Sequence, residues 1–263
     1  MESARALLPD RNFIYLADRA GFPYGTKQPE EVRSLAVRAV LALSLAFNPA
    51  AIVVACNTAT EVAIDAMRKA VPNIPIVGTV PAIKPAAALS RKRRIAVVAT
   101  QRAAEEPYLL NLAHKFAADC QLTRIGDGKL VNFVENKLFQ ASTAERLEAV
   151  QAAVQTALQA DADVLVLGCT HFLHMTDDFA AAVPPDQQLI LVDSRDGVAR
   201  QLVRVLQSDP RAAEPLATNS AESAETAGIS EDRFYLSGEQ DFEERFIQFA
   251  RHFRLSPAGT LHS

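Results

Sequence analysis

The chain has 263 residues, 49% of them apolar, with a formal net charge of −4, 6% aromatic residues and no Trp. That length fits one large domain or two small ones, and the apolar share is enough for a sizeable core. The acidic balance and the scarcity of rings exclude a generic nucleic-acid binder, whose footprint is basic and offers stacking platforms.

In chain order, Met1 to Pro9 reads as helical. Glu2, Arg5 and Asp10 within the first ten residues leave no signal-peptide pattern. Phe13–Leu16 is the first short apolar run of strand character. Glu30–Phe47 is rich in Ala, Leu, Val and Arg and predicts a helix, and Ile52–Ala55 a buried strand. Ala39 to Thr60 carries no charge over 22 positions. Asn48-Pro49 breaks that stretch as a turn, so it reads as buried helix then buried strand rather than a membrane span. Glu61–Lys69 predicts a helix, Ile76–Val77 and Ile95–Ala99 strands, and Glu105–Ala118 and Thr143–Ala160 helices. Val164–Leu167 and Leu189–Val192 are further strands. Ala212–Asp232, rich in Ala, Ser, Glu and Thr without apolar periodicity, predicts a loop or linker. Phe234-Tyr235-Leu236 predicts a last strand and Asp241–Phe253 a closing amphipathic helix. Continuous apolar strands separated by helices predict an α/β fold with parallel sheets.

Three cysteines, Cys56, Cys120 and Cys169, cannot all pair within one chain, and free thiols in a reducing, cytoplasmic setting are the simple reading. Ala51-Ile-Val-Val-Ala-Cys56-Asn-Thr58 echoes Val164-Leu-Val-Leu-Gly-Cys169-Thr-His171. Each is an apolar strand ending in Cys with polar residues after it. Ligands in open α/β sheets lie outside the carboxyl ends of strands, so both thiols are expected at a shared cleft between two similar units. A thiol there is a nucleophile, a metal ligand, a base or inert packing. Cys120 carries no pattern and reads as packing. Zinc lacks the usual ligand spacing, because there is no CxxC and His171 is close to Cys169. Acyl transfer through Cys169 and His171 leaves Cys56 unexplained. Two matched thiols suit removal of an α-proton on one face of an amino acid and its return on the other.

Ala55-Cys-Asn-Thr-Ala-Thr60, Leu167-Gly-Cys-Thr-His171, Phe22-Pro-Tyr-Gly25 with Lys27, Ile76-Val-Gly-Thr-Val-Pro81, Val192-Asp-Ser194 and Tyr235-Leu-Ser-Gly238 occur in an order that resembles the glutamate racemases of the aspartate/glutamate racemase superfamily. The resemblance runs from about Leu8 to Leu255. It implies two similar parallel-sheet α/β domains with the active site between them, the first formed by residues 1–82 and 193–263 and the second by 83–192. It implies interconversion of L- and D-glutamate without a cofactor or metal, supplying D-glutamate for peptidoglycan synthesis. Cys56 is the expected acid/base on the D side and Cys169 on the L side. His171 assists Cys169, and Glu135 supports that half of the site. Pro23, Tyr24, Gly25, Asn57, Thr58 and Thr170 are the expected substrate contacts. Glutamate is the expected partner, without nucleic acid or membrane, and with a homodimer as a further expectation. His174 reads as a helix-start residue.

The chain departs from that family in three places. The family opens with a strand and an Asp-Ser-Gly loop, and this chain begins after that point. A longer natural product is therefore expected, and poor solubility with at most weak activity for the chain as written. Arg102-Ala103 stands where the family usually has Gly-Thr, and Phe172-Leu173 where it usually has Tyr-Pro. Aspartate racemase, another racemase of the superfamily, and a non-catalytic binding relative are the alternatives. The first group usually carries Glu where His171 stands.

Overall fold

The short apolar runs become parallel strands separated by helices, which cover both faces of the central strands. The structure, a computed structural model, describes residues 1–208, 232–239 and 242–261. Its first stretch contains α1 (Glu2–Leu7), β1 (Ile14–Ala17), α2 (Pro29–Phe47), β2 (Ile52–Val54), α3 (Asn57–Ala70) and β3 (Ile76–Gly78). Next come α4 (Ile83–Leu89), β4 (Arg94–Ala99), α5 (Gln101–Glu105), α6 (Pro107–Phe116), β5 (Gln121–Gly126), α7 (Gly128–Asn136), α8 (Thr143–Gln159), β6 (Val164–Leu167), α9 (Thr176–Ala181) and β7 (Ile190–Val192). The chain then adds α10 (Arg195–Ser208), β8 (Arg233–Ser237), α11 (Glu244–His252) and β9 (Ser256–Leu261). The linker expected at Ala212–Asp232 lies outside the described residues except for Asp232.

Among the described residues all pairings are parallel, in sheets ordered β1-β8-β9, β2-β3 and β5-β4-β6-β7. The four-stranded sheet is the most deeply buried. Ala96, Val98, Leu165 and Leu167 face one apolar cluster, with Val150, Val154 and Phe172. Ile95, Val97, Val164 and Val166 face the other, with Ile83 and Leu109. This alternation is the period of two expected of a strand covered on both sides.

α10 packs with α1 and β3 through Ala4, Val77, Ala199 and Leu202. β8 and α11 form an aromatic cluster in which Phe234 meets Phe242, Phe246 and Phe249. Among the described residues β1 is paired on one side only, with β8, and β2 on one side only, with β3. Residues of both strands line a cavity of roughly 2200 Å³ that runs on to the two cysteine motifs.

Local chemistry sets the helix ends. Pro29 opens α2, and Asn48 closes it in the left-handed region at φ 43° before Pro49. Ser142 and Glu145 form a reciprocal capping box at the start of α8. The single helix expected over Glu105–Ala118 is two helices. Pro107 takes the first position of α6 and leaves Glu106 extended, with ψ 144°. Among the described residues no helix is long and apolar enough to cross a membrane.

Candidate active site

Cys56 and Cys169 occupy equivalent places, each two residues beyond a parallel strand, β2 or β6. β6 is fully buried, whereas β2, expected buried, keeps only Ile52 buried and exposes Val53 where the strand borders the cavity. Cys56 is the N-cap of α3 with extended backbone, and its sulfur accepts a hydrogen bond from the Ala59 N–H at 3.4 Å. Cys169 has the same extended backbone and precedes the 3-10 segment Thr170–Met175. The two motifs are tied to each other. Asn57 Nδ2 donates to Gly168 O at 2.6 Å, and Thr170 Oγ1 donates to Ala55 O at 3.0 Å. Each strand end therefore braces the other across the space between the sheets.

The two thiols sit in different electrostatic settings. Burial lifts the Cys56 thiol to about 11; the Ala59 N–H opposes that shift, and nearby Cys169 adds to it. Beside Cys169, His171 Nδ1 lies 3.7 Å from the sulfur while its Nε2 meets Glu135 Oε1 at 2.7 Å. Burial alone would lower the His171 pKa, but Cys169 and Glu135 outweigh it and raise it to about 10. Burial likewise works to raise Glu135, and the hydrogen bond and charge of His171 overcome it and hold the carboxyl below its ordinary value. The imidazolium–carboxylate pair is thus formed at neutral pH, with one imidazolium N–H directed at the sulfur.

Residues 1–202 match the Asp/Glu/Hydantoin racemase family. The chain belongs to that family. It is 34% identical to the glutamate racemase of Treponema pallidum (strain Nichols), covering 98% of this chain and 90% of that protein. It is 38% identical over 202 residues to the glutamate racemase of Pectobacterium carotovorum subsp. carotovorum (strain PC1), covering 76% of this chain and 69% of that protein. Among solved structures, Escherichia coli glutamate racemase, in complex with L-glutamate and the activator UDP-MurNAc-Ala, aligns with a TM-score of 0.84. Its identity is 29%, over 99% of this chain and 92% of that one. A glutamate racemase isoform from Bacillus anthracis aligns with a TM-score of 0.75 at 25% identity, over 98% of this chain and 91% of that one. In this racemase-family chain the cavity lies between parallel sheets.

Every site residue expected from the sequence lines this cavity: Pro23, Tyr24, Gly25, Cys56, Asn57, Thr58, Glu135, Cys169, Thr170 and His171. The loop carrying Pro23, Tyr24 and Gly25 reaches from the end of β1 across to the other sheet. Phe22 packs on the His171 ring at 6.0 Å between centroids, and a Cβ built on Gly25 would lie 3.7 Å from Thr100 Oγ1. Asn57 Oδ1 is buried without a partner. Its Nδ2 is committed to a carbonyl, so the oxygen must face the other way.

The departures from the racemase motifs have structural roles. Arg102 donates from Nη1 to the Lys27 carbonyl and from Nε to Glu106 Oε1 at 3.1 Å, pinning the far end of the Pro23–Gly25 loop to α5. Ala103 N–H bonds Thr100 Oγ1 at 3.2 Å, which caps α5. Phe172 is fully buried, and Leu173 packs against the same core cluster. His174 is no helix start. It lies in the 3-10 segment and packs edge-on against Phe249 and Phe253. Asp18 carries no signal in the local sequence, and the partners of Ser237 and Arg102 come from distant stretches. Among the described residues no group of three or more His, Cys, Asp or Glu side chains is placed to hold a metal ion.

Proposed function

We propose that this chain interconverts L- and D-glutamate by moving the α-proton between Cys56 and Cys169, in a domain frame divided at residues 82/83 and 192/193. The observation that carries this reading is the pair of equivalent strand-end thiols, braced to each other by the Asn57–Gly168 and Thr170–Ala55 hydrogen bonds.

In the L-to-D direction the Cys169 sulfur, as thiolate beside the His171 imidazolium, takes the α-proton. The C–H electron pair moves into the substrate carboxylate. The Cys56 S–H then gives its proton to the opposite face, and the thiolate and thiol have changed places. Burial keeps Cys56 protonated, the form an acid needs, and the His171–Glu135 pair supplies positive charge beside the sulfur that acts as base. In the D-to-L direction each group takes the other role. The buried, unpartnered Asn57 Oδ1 suits the substrate ammonium. Thr58, Thr170 and the Pro23–Gly25 loop supply the remaining contacts. The same reading assigns the D-glutamate product to peptidoglycan synthesis and the enzyme to the cytoplasm. It includes a homodimer, which sedimentation tests.

The test is turnover in deuterated water without added pyridoxal phosphate or metal. Either enantiomer should lose optical activity and gain α-deuterium. Cys56→Ala should exchange the α-proton of L-glutamate without inverting it, and Cys169→Ala should do so for D-glutamate alone. Near-parental racemisation by either variant would overturn the two-thiol mechanism.

A further inference from the structure

We propose that Asp18 is the positioning residue of the substrate loop, holding Tyr24 and the adjoining Pro23 and Gly25 at the cleft by tying them to the end of β8. The proposal rests on the racemase reading and adds to it a group outside the two thiol motifs.

Asp18 directly follows β1 and faces the last residue of β8. Three donors converge on its two oxygens. Tyr24 Oη donates to Oδ2, Ser237 Oγ donates to Oδ1 at 2.6 Å, and the Gly21 N–H approaches Oδ1 at 3.2 Å. Ser237 is itself buried, and its Oγ accepts the Ala20 N–H at 2.9 Å. A serine hydroxyl has one proton, and here it is committed to Asp18. The chain closes so tightly on the carboxylate that a Cβ at Gly21 would overlap both Asp18 Oδ2 and Tyr24 Cε1. Glycine is thus required at 21 by close approach, at a φ any residue adopts.

The consequence for the site is specific. The Tyr24 hydroxyl is spent on Asp18, and its pKa is driven far above the ordinary value by burial and by that bond. Tyr24 therefore presents its ring and backbone, not a phenolic proton, to the cleft it lines. The carboxylate is matched by donors on both oxygens, so its charge is turned toward the loop rather than toward an anionic substrate. An amide replaces it only in part. Asn offers one acceptor oxygen, and its NH₂ takes the place of the other, so the Tyr24 or Ser237 hydroxyl opposite must turn its proton away and the charge that held it is lost.

Asp18→Asn should raise KM for both glutamate enantiomers about tenfold, the scale of one lost charge-assisted hydrogen bond, with kcat changed less than about threefold. Tyr24→Phe removes the hydroxyl and keeps the ring. The double variant should bind no worse than the weaker single one, because both changes break the same tie. Ser237→Ala cuts the tie to β8 while leaving the carboxylate, and should also raise KM. If Asp18→Asn does not fold, Ser237→Ala and Tyr24→Phe decide the question in its place: an unchanged KM in both would overturn the assignment. Calorimetric binding of D-glutamate gives the same ratios independently of turnover. A racemising parent with an Asp18→Asn variant of unchanged KM, or of reduced kcat at unchanged KM, would overturn the Asp18 assignment alone, as would strictly additive effects. A parent that neither turns over nor binds glutamate would overturn the racemase reading, and the assignment with it.

Discussion

His174 and His171 lie three residues apart and are driven in opposite directions. His171 gains a carboxylate and is held charged, whereas His174 is enclosed by Phe249 and Phe253. Burial first, then repulsion from His171 and His252, lowers its pKa to about 4. The unfolded chain has an ordinary histidine near pH 6.5 there, so the folded protein binds fewer protons between pH 6.5 and 4. His174 thus contributes stability that is present above pH 6.5 and lost as the pH falls toward 4. His174→Phe should flatten the fall of the unfolding midpoint between pH 7 and 4.5, measured by calorimetry. An unchanged slope would show that His174 is not the titrating group. At this scale the two cysteine motifs are legible in the sequence because strand, thiol and polar residues are contiguous. Glu135 is legible only through the family resemblance. It lies on α7 and meets His171 across 36 positions of sequence. Asp18 and Ser237 are 219 positions apart, and no local pattern marks such a pair.

At the scale of elements, legibility follows burial. β4 from Ile95 onward and all of β6 are covered on both faces, so these sequences are unbroken apolar runs. β5 is an edge strand whose Gln121-Leu-Thr-Arg-Ile-Gly126 is half exposed, and its mixed composition hides it. β9 contains Pro257 and Gly259, lies at an edge and pairs with β8 through a register shift. Proline and glycine are tolerated there because one side of the strand makes no ladder among the described residues, yet they erase the strand signal. The break at Pro107 is readable from the residue itself, although the apolar spacing continues across it. The contrast between central and edge strands has an energetic counterpart. Leu165 is fully buried in the centre of the four-stranded sheet. Leu165→Ala should cost about 2–5 kcal/mol, from lost transfer energy plus the cavity left behind. Leu122→Ala in β5 should cost less than half as much in the same urea titration. Equal costs would mean that the edge strand is packed as tightly as the centre.

At the scale of the whole molecule, the rule that ligands lie beyond strand carboxyl ends locates the cleft from the order of strands and cysteines alone. What the rule does not supply is how evenly the frame on either side of the cleft is held. β4 and β6 make hydrogen-bond ladders on both edges. Among the described residues β1 and β2 each make one, and their other edges border the roughly 2200 Å³ cavity that also holds the thiols. Parallel strands alternate their backbone groups between the two sides, so part of each of these strands directs its amides into the cavity. An amide without a ladder partner needs no cooperative opening before it exchanges with solvent, whereas one in a doubly paired, buried strand needs unfolding of the sheet. Hydrogen exchange should therefore show the cavity-facing amides within Ile14–Ala17 and Ile52–Val54 exchanging at least about 100-fold faster than the amides of Ile95–Val98 and Val164–Leu167, the gap expected between local and global opening. Saturating D-glutamate should slow exchange in the Pro23–Gly25 loop and at the start of α3, where the site closes on its ligand, and leave the central sheet unchanged. Equal protection of all four strands in the free protein would mean that the cavity-facing edges of β1 and β2 are paired in solution.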